Sequence, residues 1–303
     1  MMYDIIVIGG GPAGLTAALY ARRANKTVLV IEKGSFGGQI TFSPKVENIP
    51  GFVQLTGNEF AEKLVDQVLT QGADMECCEV LSIKDGDVKT VVTDEGEFTA
   101  KAVVIATGAR HRMLGLAREE QFVGEGISFC AVCDGAFYAG KTVAVIGGGN
   151  SALQEALLLS DLAQKVYVVQ NLDHLTGEAA LCEQLETRDN VEIVLGTVVT
   201  SLIGDTTLTG ITVARESDGK TWDLAVDGMF VAIGLIPQNE PFANVLSLNE
   251  YGYADADESC VTPTAGVFVA GDCRRKKIRQ VATAAADGAI AALAACDYID
   301  RLD

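Results

Sequence analysis

The chain has 303 residues, 49% of them hydrophobic and 21% charged, which suits two globular cores and excludes a disordered polypeptide. Acidic residues outnumber basic ones by 41 to 23, a formal charge of −18 that argues against nucleic acid or an anionic membrane as the main partner, because both select a basic footprint. No stretch approaches the roughly 18 apolar residues of a membrane span, and the start lacks the basic-then-apolar pattern of a targeting signal.

Residues 4–8 read as a buried strand, followed by a glycine turn, a helix to about Ala24 and a second strand over 27–31. The turn, Gly9-Gly10-Gly11-Pro12-Ala13-Gly14, satisfies G-x-G-x-x-G between strand and helix. Its glycines permit a tight bend and close approach of a pyrophosphate to the helix N-terminus. Glu32 closes the second strand, where a carboxylate can accept from ribose hydroxyls. This site is expected to bind a dinucleotide.

Residues 80–99 read as antiparallel hairpins, with Asp85-Gly86 and Glu95-Gly96 as turns. Next comes Cys130-Ala131-Val132-Cys133-Asp134, a C-x-x-C pair able to cycle between dithiol and disulfide, with an acid beside it to carry the proton. Zinc would need two further ligands, and the sequence offers no second pair and only His111 and His174. Inert core thiols are the other alternative. The remaining cysteines, 77, 78, 182, 260, 273 and 296, have no redox spacing and are expected to be mostly buried free thiols, as in a reducing cytoplasm.

A second βαβ start follows: strand 142–146, turn Gly147-Gly148-Gly149-Asn150-Ser151-Ala152, helix 151–162 and strand 165–169. The turn fits the G-x-G-x-x-A variant. The strand after it leads into Gln170-Asn171-Leu172, with neither a ribose-binding acid nor an arginine for a 2′-phosphate. The nearest cations along the chain are Lys165 and Arg188. Hairpins recur over 197–227, with Asp218-Gly219 as a turn. A last strand, 266–270, ends at Gly271-Asp272. The run Arg274-Arg275-Lys276-Lys277, with Arg279 close behind, is expected to be a solvated loop that can also serve near cofactor phosphates or at a partner surface. An alanine-rich helix over 281–296 is expected to be buried. Polar, Gly- or Pro-containing connections at 115–120 and 234–239 suggest one domain built from both chain ends with a second inserted.

Across essentially the whole chain these residues, together with Gly37-Gly38-Gln39, Asn48-Ile49-Pro50-Gly51, Ala106-Thr107-Gly108, Val231-Ala232-Ile233-Gly234 and Arg279-Gln280, resemble the low-molecular-weight thioredoxin reductases. The resemblance implies an α/β fold of two Rossmann-like domains of the FAD/NAD-linked reductase type, an FAD domain over 1–115 and 241–303 with 116–240 inserted. It places FAD against Gly9, Gly11, Pro12, Ala13, Glu32, Lys33, Gly38, Gln39, Asn48, Thr107, Gly108, Gly271, Asp272, Arg279, Gln280 and Val281. NADH or NADPH would take Gly147, Gly149, Asn150, Ser151 and Ala152. Cys133 would be the flavin-side sulfur, Cys130 the attacker of the thioredoxin disulfide and Asp134 the acid. A cytoplasmic homodimer with two orientations of the inserted domain is also implied. One departure matters: family members that use NADPH carry His-Arg-Arg-x-x-x-Arg where this chain has Gln170 to Thr176 without arginine. Each lost charge-assisted bond costs roughly 1.5–3 kcal/mol. NADH or a reduced ferredoxin, docked on residues 274–277, are the alternatives as donor. A dithiol oxidase or a redox sensor of the same fold are the alternatives in function.

Overall fold

The run Ile5-Ile6-Val7 is completely buried on both faces of its strand, as expected of a central parallel strand covered by helices on either side. The computed structural model describes residues 2–43 and 45–302 and divides the chain into two units, Met1–Arg110 with Ile236–Asp303, and His111–Leu235. The second unit is thus inserted into the first.

In the first unit, Met2–Ile8 lies parallel between Val28–Glu32 and Glu97–Ile105, with Asp74–Cys77 at one edge. Glu97–Ile105 serves two sheet patterns. Its start pairs antiparallel with Lys89–Thr93, which continues to Val80–Lys84. Its end pairs parallel with Val267–Val269, and this brings the C-terminal strand beside the first glycine turn. Helix Pro12–Arg23 packs on the C-terminal helix Val281–Asp300 so closely that a Cβ at Gly288 would lie 2.1 Å from the Ala13 carbonyl oxygen. Helix Gly57–Thr70 begins with a capping box, Thr56 and Glu59 each bonding the other's backbone amide.

The second unit repeats the pattern. Thr142–Ile146 pairs parallel with Lys165–Val169 and Gly228–Val231, flanked by Val191–Val194 and Ile127–Ser128. A three-stranded antiparallel sheet, Thr197–Gly204, Leu208–Arg215 and Thr221–Ala225, packs its apolar side on this layer. The expected turns are in place: Asp85 caps the Gly86 amide, and Gly219 takes a left-handed φ of 66°.

Val281–Asp300 is the one described helix whose length and composition match a membrane span. It carries a buried, ion-paired Asp287 and packs eight buried residues into the core of its own unit. It is a core helix.

Candidate redox and nucleotide sites

The first glycine turn is shaped by contacts that exclude side chains. Gly9 adopts φ 109°, and a Cβ there would lie 2.3 Å from the Ala106 carbonyl oxygen; at Gly14 it would lie 1.8 Å from the Gly9 oxygen. Gly11 caps the helix without a side-chain bond and Pro12 opens it, leaving backbone N–H groups directed outward from the positive helix end. Gly38, at φ 67°, approaches from the next loop; a Cβ there would meet the Gly11 Cα at 3.0 Å. Ala13 lies under Gly271 at similarly close range. Glu32 accepts from the Gly10 amide at 2.7 Å and from the Gly34 amide at 2.9 Å, so it braces the turn while keeping lone pairs for a ribose. Lys33 is exposed and faces Glu79 at 3.6 Å. The Gln39 amide donates to the Ala109 carbonyl.

A second group gathers around Asp272, also in the first unit. Its Oδ1 is buried with no hydrogen-bond partner among the described residues, and burial raises its carboxyl pKa. Arg279 reaches the Asp272 carbonyl at 3.5 Å and lies over the Tyr253 ring at 4.4 Å. Gln280 caps the C-terminal helix ahead of Val281 and accepts from Asn48 at 3.2 Å. Thr107 meets the fully buried Asn239, whose amide also ties down the Gly252 and Cys273 carbonyls. Gly108, at φ 70°, accepts from the Gln238 amide. Asn239 and Tyr253 were not anticipated from the sequence, because neither lies in a recognisable motif.

The basic run corrects an expectation. Arg274 and Lys276 are not solvated: their side chains are 8% and 7% exposed, and both turn inward onto Asp287, itself 6% exposed. Asp287 accepts from Arg274 through Nε and Nη2, each at 2.8 Å, from Lys276 at 2.8 Å and from the Gly271 amide at 3.0 Å. Only Arg275, paired with Asp255, and Lys277 face outward within the run. A buried carboxylate in the C-terminal helix takes these cations inside, so they do not form a docking surface; they anchor the loop that carries Asp272. An outward helix end, a glycine cradle that any side chain would fill and an orphaned buried acceptor together fit a dinucleotide cofactor.

In the second unit, Cys130 and Cys133 form a disulfide with Cα atoms 5.3 Å apart. The pair sits on a single helical turn, Ala131–Asp134, capped by Cys130; the Cys133 and Asp134 amides donate to the Cys130 carbonyl at 3.1 and 3.0 Å. Val132, between the two cysteines in sequence, is 66% exposed, while Ala131 is buried and both cysteines are half-buried, so one side of the turn faces solvent. Beneath it, the Ser128 hydroxyl accepts from the Cys130 amide at 3.1 Å and donates to Asp134 Oδ2 at 2.6 Å. Burial raises the Asp134 pKa, and the Ser128 bond opposes the shift. That is the direction a proton donor needs near neutrality.

The second glycine turn is intact. Gly147 takes φ 130° and donates to the Val169 carbonyl at 2.9 Å, as Gly9 does to Ile31 at 2.8 Å. Gly149 caps helix Asn150–Ser160, placing Ser151 and Ala152 in its first turn; Ala152 is buried under the bend. Gln170 stands where Glu32 stands in the first turn, but it is buried and neutral and packs against Gly148. Asn150 is held by Glu178, and the Thr176 and Gly177 amides donate to the Gly148 carbonyl. Beyond Gln170 opens a cleft of about 480 Å³ lined by Asn171, Asp173, Gly196, Arg215, Glu216 and Ser217 among others. The sequence shows no carboxylate for a ribose at the end of strand Lys165–Val169 and only distant cations; Arg215, which ends a strand of the antiparallel sheet, and Glu216 beside it line the cleft. Arg215 faces Asp218 at 3.6 Å.

The two units and the cysteine pair define a disulfide oxidoreductase built on two dinucleotide-binding folds. A family model described as pyridine nucleotide-disulphide oxidoreductase matches residues 3–288. Proteins named thioredoxin reductase from Listeria monocytogenes and Bacillus subtilis are 39% and 38% identical to it over 99% of this chain, covering 95% and 96% of their own lengths. The solved structure of thioredoxin reductase from Streptococcus pyogenes is 36% identical, covers 99% of each chain and superposes with a TM-score of 0.94. The chain belongs to the pyridine nucleotide-disulphide oxidoreductase family.

Proposed function

We propose that the chain is a flavin-dependent enzyme that reduces the disulfide of thioredoxin or a thioredoxin-like protein. The observation that carries this reading is the Cys130–Cys133 disulfide on a helical turn whose Val132 is exposed, with the half-buried Asp134 carboxyl beneath it. FAD, held in the first unit by the Gly9–Gly14 turn, Glu32, Gly38, Gln39, Asn48, Thr107, Gly108, Gly271, Asp272, Arg279, Gln280 and Val281, supplies two-electron transfer between donor and disulfide. Asp272 would bond a cofactor hydroxyl through its unpaired oxygen, since an unsatisfied buried carboxylate oxygen is costly. Reduced, the pair presents Cys130 for attack on the partner disulfide. The mixed disulfide then resolves through Cys133, with Asp134 protonating a released sulfur.

The donor is proposed to be NADH where a nucleotide serves. The intact turn at Gly147, Gly149, Asn150, Ser151 and Ala152 supports dinucleotide binding. The cleft beyond it carries Asp173 and Glu216, and its arginine faces Asp218, so it suits a ribose diol and repels a 2′-phosphate. The apolar outward stripe Ala282, Ala286, Ile290 and Leu293 on the C-terminal helix supports a homodimer, and six free thiols support a reducing cytoplasm. Anaerobic flavin absorbance on mixing with NADH, NADPH or reduced ferredoxin tests the donor. Bleaching by NADH ahead of NADPH is expected. Bleaching by ferredoxin alone would make the second turn a relict.

A further inference from the structure

A second carboxyl lies beside Asp134, in a position the thioredoxin reductase reading does not use. Glu155 sits on helix Asn150–Ser160, which packs directly against the disulfide turn. It accepts a hydrogen bond from the Ala131 amide, the residue between Cys130 and Val132, and is close enough to Asp134 for the two charges to act on each other. Both groups are only half satisfied: Glu155 Oε2 and Asp134 Oδ1 are buried without a hydrogen-bond partner among the described residues. Two neighbouring half-buried carboxyls, each with one unpartnered oxygen out of water, cannot both ionise cheaply.

We propose that Glu155 is a positioning residue for the redox turn, forming with Asp134 a half-buried carboxyl pair that retains a shared proton and keeps Asp134 able to protonate the sulfur released when the Cys130–Cys133 bond opens. The inference rests on the redox reading of the cysteine pair. Burial raises the Glu155 pKa to about 7, with the Asp134 charge adding to it. Among the described residues no cation offsets either carboxyl. Tyr138 is pushed up to about 12 by burial and by Asp134, Asp227 and Glu125, and Lys141 is engaged over the Tyr138 ring at 5.5 Å. The step balances. An attacking thiolate bonds one sulfur, the S–S bond breaks toward the other, and that sulfur takes the Asp134 proton. The pair, briefly without its proton, takes one back from solvent, and Asp134 and Glu155 share it again.

The test follows opening of the disulfide by dithiothreitol in the FAD-loaded protein, trapped by alkylation and read by the mass of the peptide holding both cysteines. Wild type, Glu155→Gln and Glu155→Asp are compared across pH; the ratio of rates cancels the reductant's own titration. Without the like-charged neighbour, Asp134 loses its proton at lower pH. The wild-type to Gln ratio is therefore expected near 1 at about pH 5 and about tenfold by about pH 8, with the Asp variant between. A ratio flat with pH in both variants overturns the proposal while leaving the redox reading standing. A wild-type disulfide that dithiothreitol does not open overturns the redox reading itself.

Discussion

Replacing Asp287 by Asn should be the most damaging single change of charge in the first unit. Three side chains at 6–8% exposure make up the network, and the carboxylate receives three charge-assisted bonds at 2.8 Å besides the Gly271 amide. Asparagine can keep one or two of these contacts but cannot neutralise two buried cations. Breaking one buried pair by removing a partner costs about 3–5 kcal/mol, so a loss of about 4–5 kcal/mol is expected, or roughly 10–15 °C in Tm. Urea unfolding followed by circular dichroism measures it, alongside flavin retention, which should fall because the same carboxylate fixes Gly271 next to Asp272. The pH dependence has a definite sign. Burial disfavours the Asp287 charge, but the Arg274 and Lys276 bonds outweigh it and leave the folded pKa lowered. Its contribution is then complete above the unfolded value of about 3.9 and is lost as pH falls through the folded pKa. The deficit of Asp287→Asn should be constant from about pH 8 to 5 and shrink in acid. A loss below about 1 kcal/mol would show that the network behaves as a solvated surface cluster.

Gly14→Ala should weaken flavin binding by at least about tenfold, measured by flavin release, because its Cβ would fall 1.8 Å from the Gly9 carbonyl oxygen and displace the turn. Asp134→Asn should slow thiol–disulfide exchange with thioredoxin by about a hundredfold while leaving flavin content unchanged, as stopped-flow exchange would register. His111, stacked on Phe129 at 4.5 Å, has its pKa pushed down to about 4 by burial. With the folded pKa below the unfolded value of about 6.5, His111 makes no difference above that pH and lowers stability by about 2–3 kcal/mol as pH falls toward 4. His111→Phe should remove that part of the acid sensitivity in denaturant titrations of the intact chain.

Much of the frame was legible because it rests on local rules. Strands Thr142–Ile146 and Lys165–Val169 are short Val-rich runs between turn residues, and their bounds coincide with the structure. The hairpins followed from Asp-Gly and Glu-Gly turns. The capping box Thr56-Gly57-Asn58-Glu59 was an available signal for helix Gly57–Thr70 that the periodicity reading passed over. The fate of Arg274 and Lys276 was not legible. Their partner Asp287 lies on the following helix, and only the packing of that helix under the Gly271 turn brings them together. Arg215 and Glu216 reach the cleft beyond Gln170 through an antiparallel connection, so no spacing rule relates them to the second glycine turn. Glu155 likewise shows its proximity to Asp134 only once its helix is packed on the disulfide turn.

The most direct test of the redox assignment is trapping of the exchange intermediate. FAD-loaded Cys133→Ser protein, with Cys130 reduced, is mixed anaerobically with oxidised thioredoxin, quenched and analysed by mass spectrometry. A mixed disulfide between Cys130 and thioredoxin, absent in the Cys130→Ser counterpart, is the predicted result. Unmodified Cys130 and fully oxidised thioredoxin after prolonged mixing would contradict it.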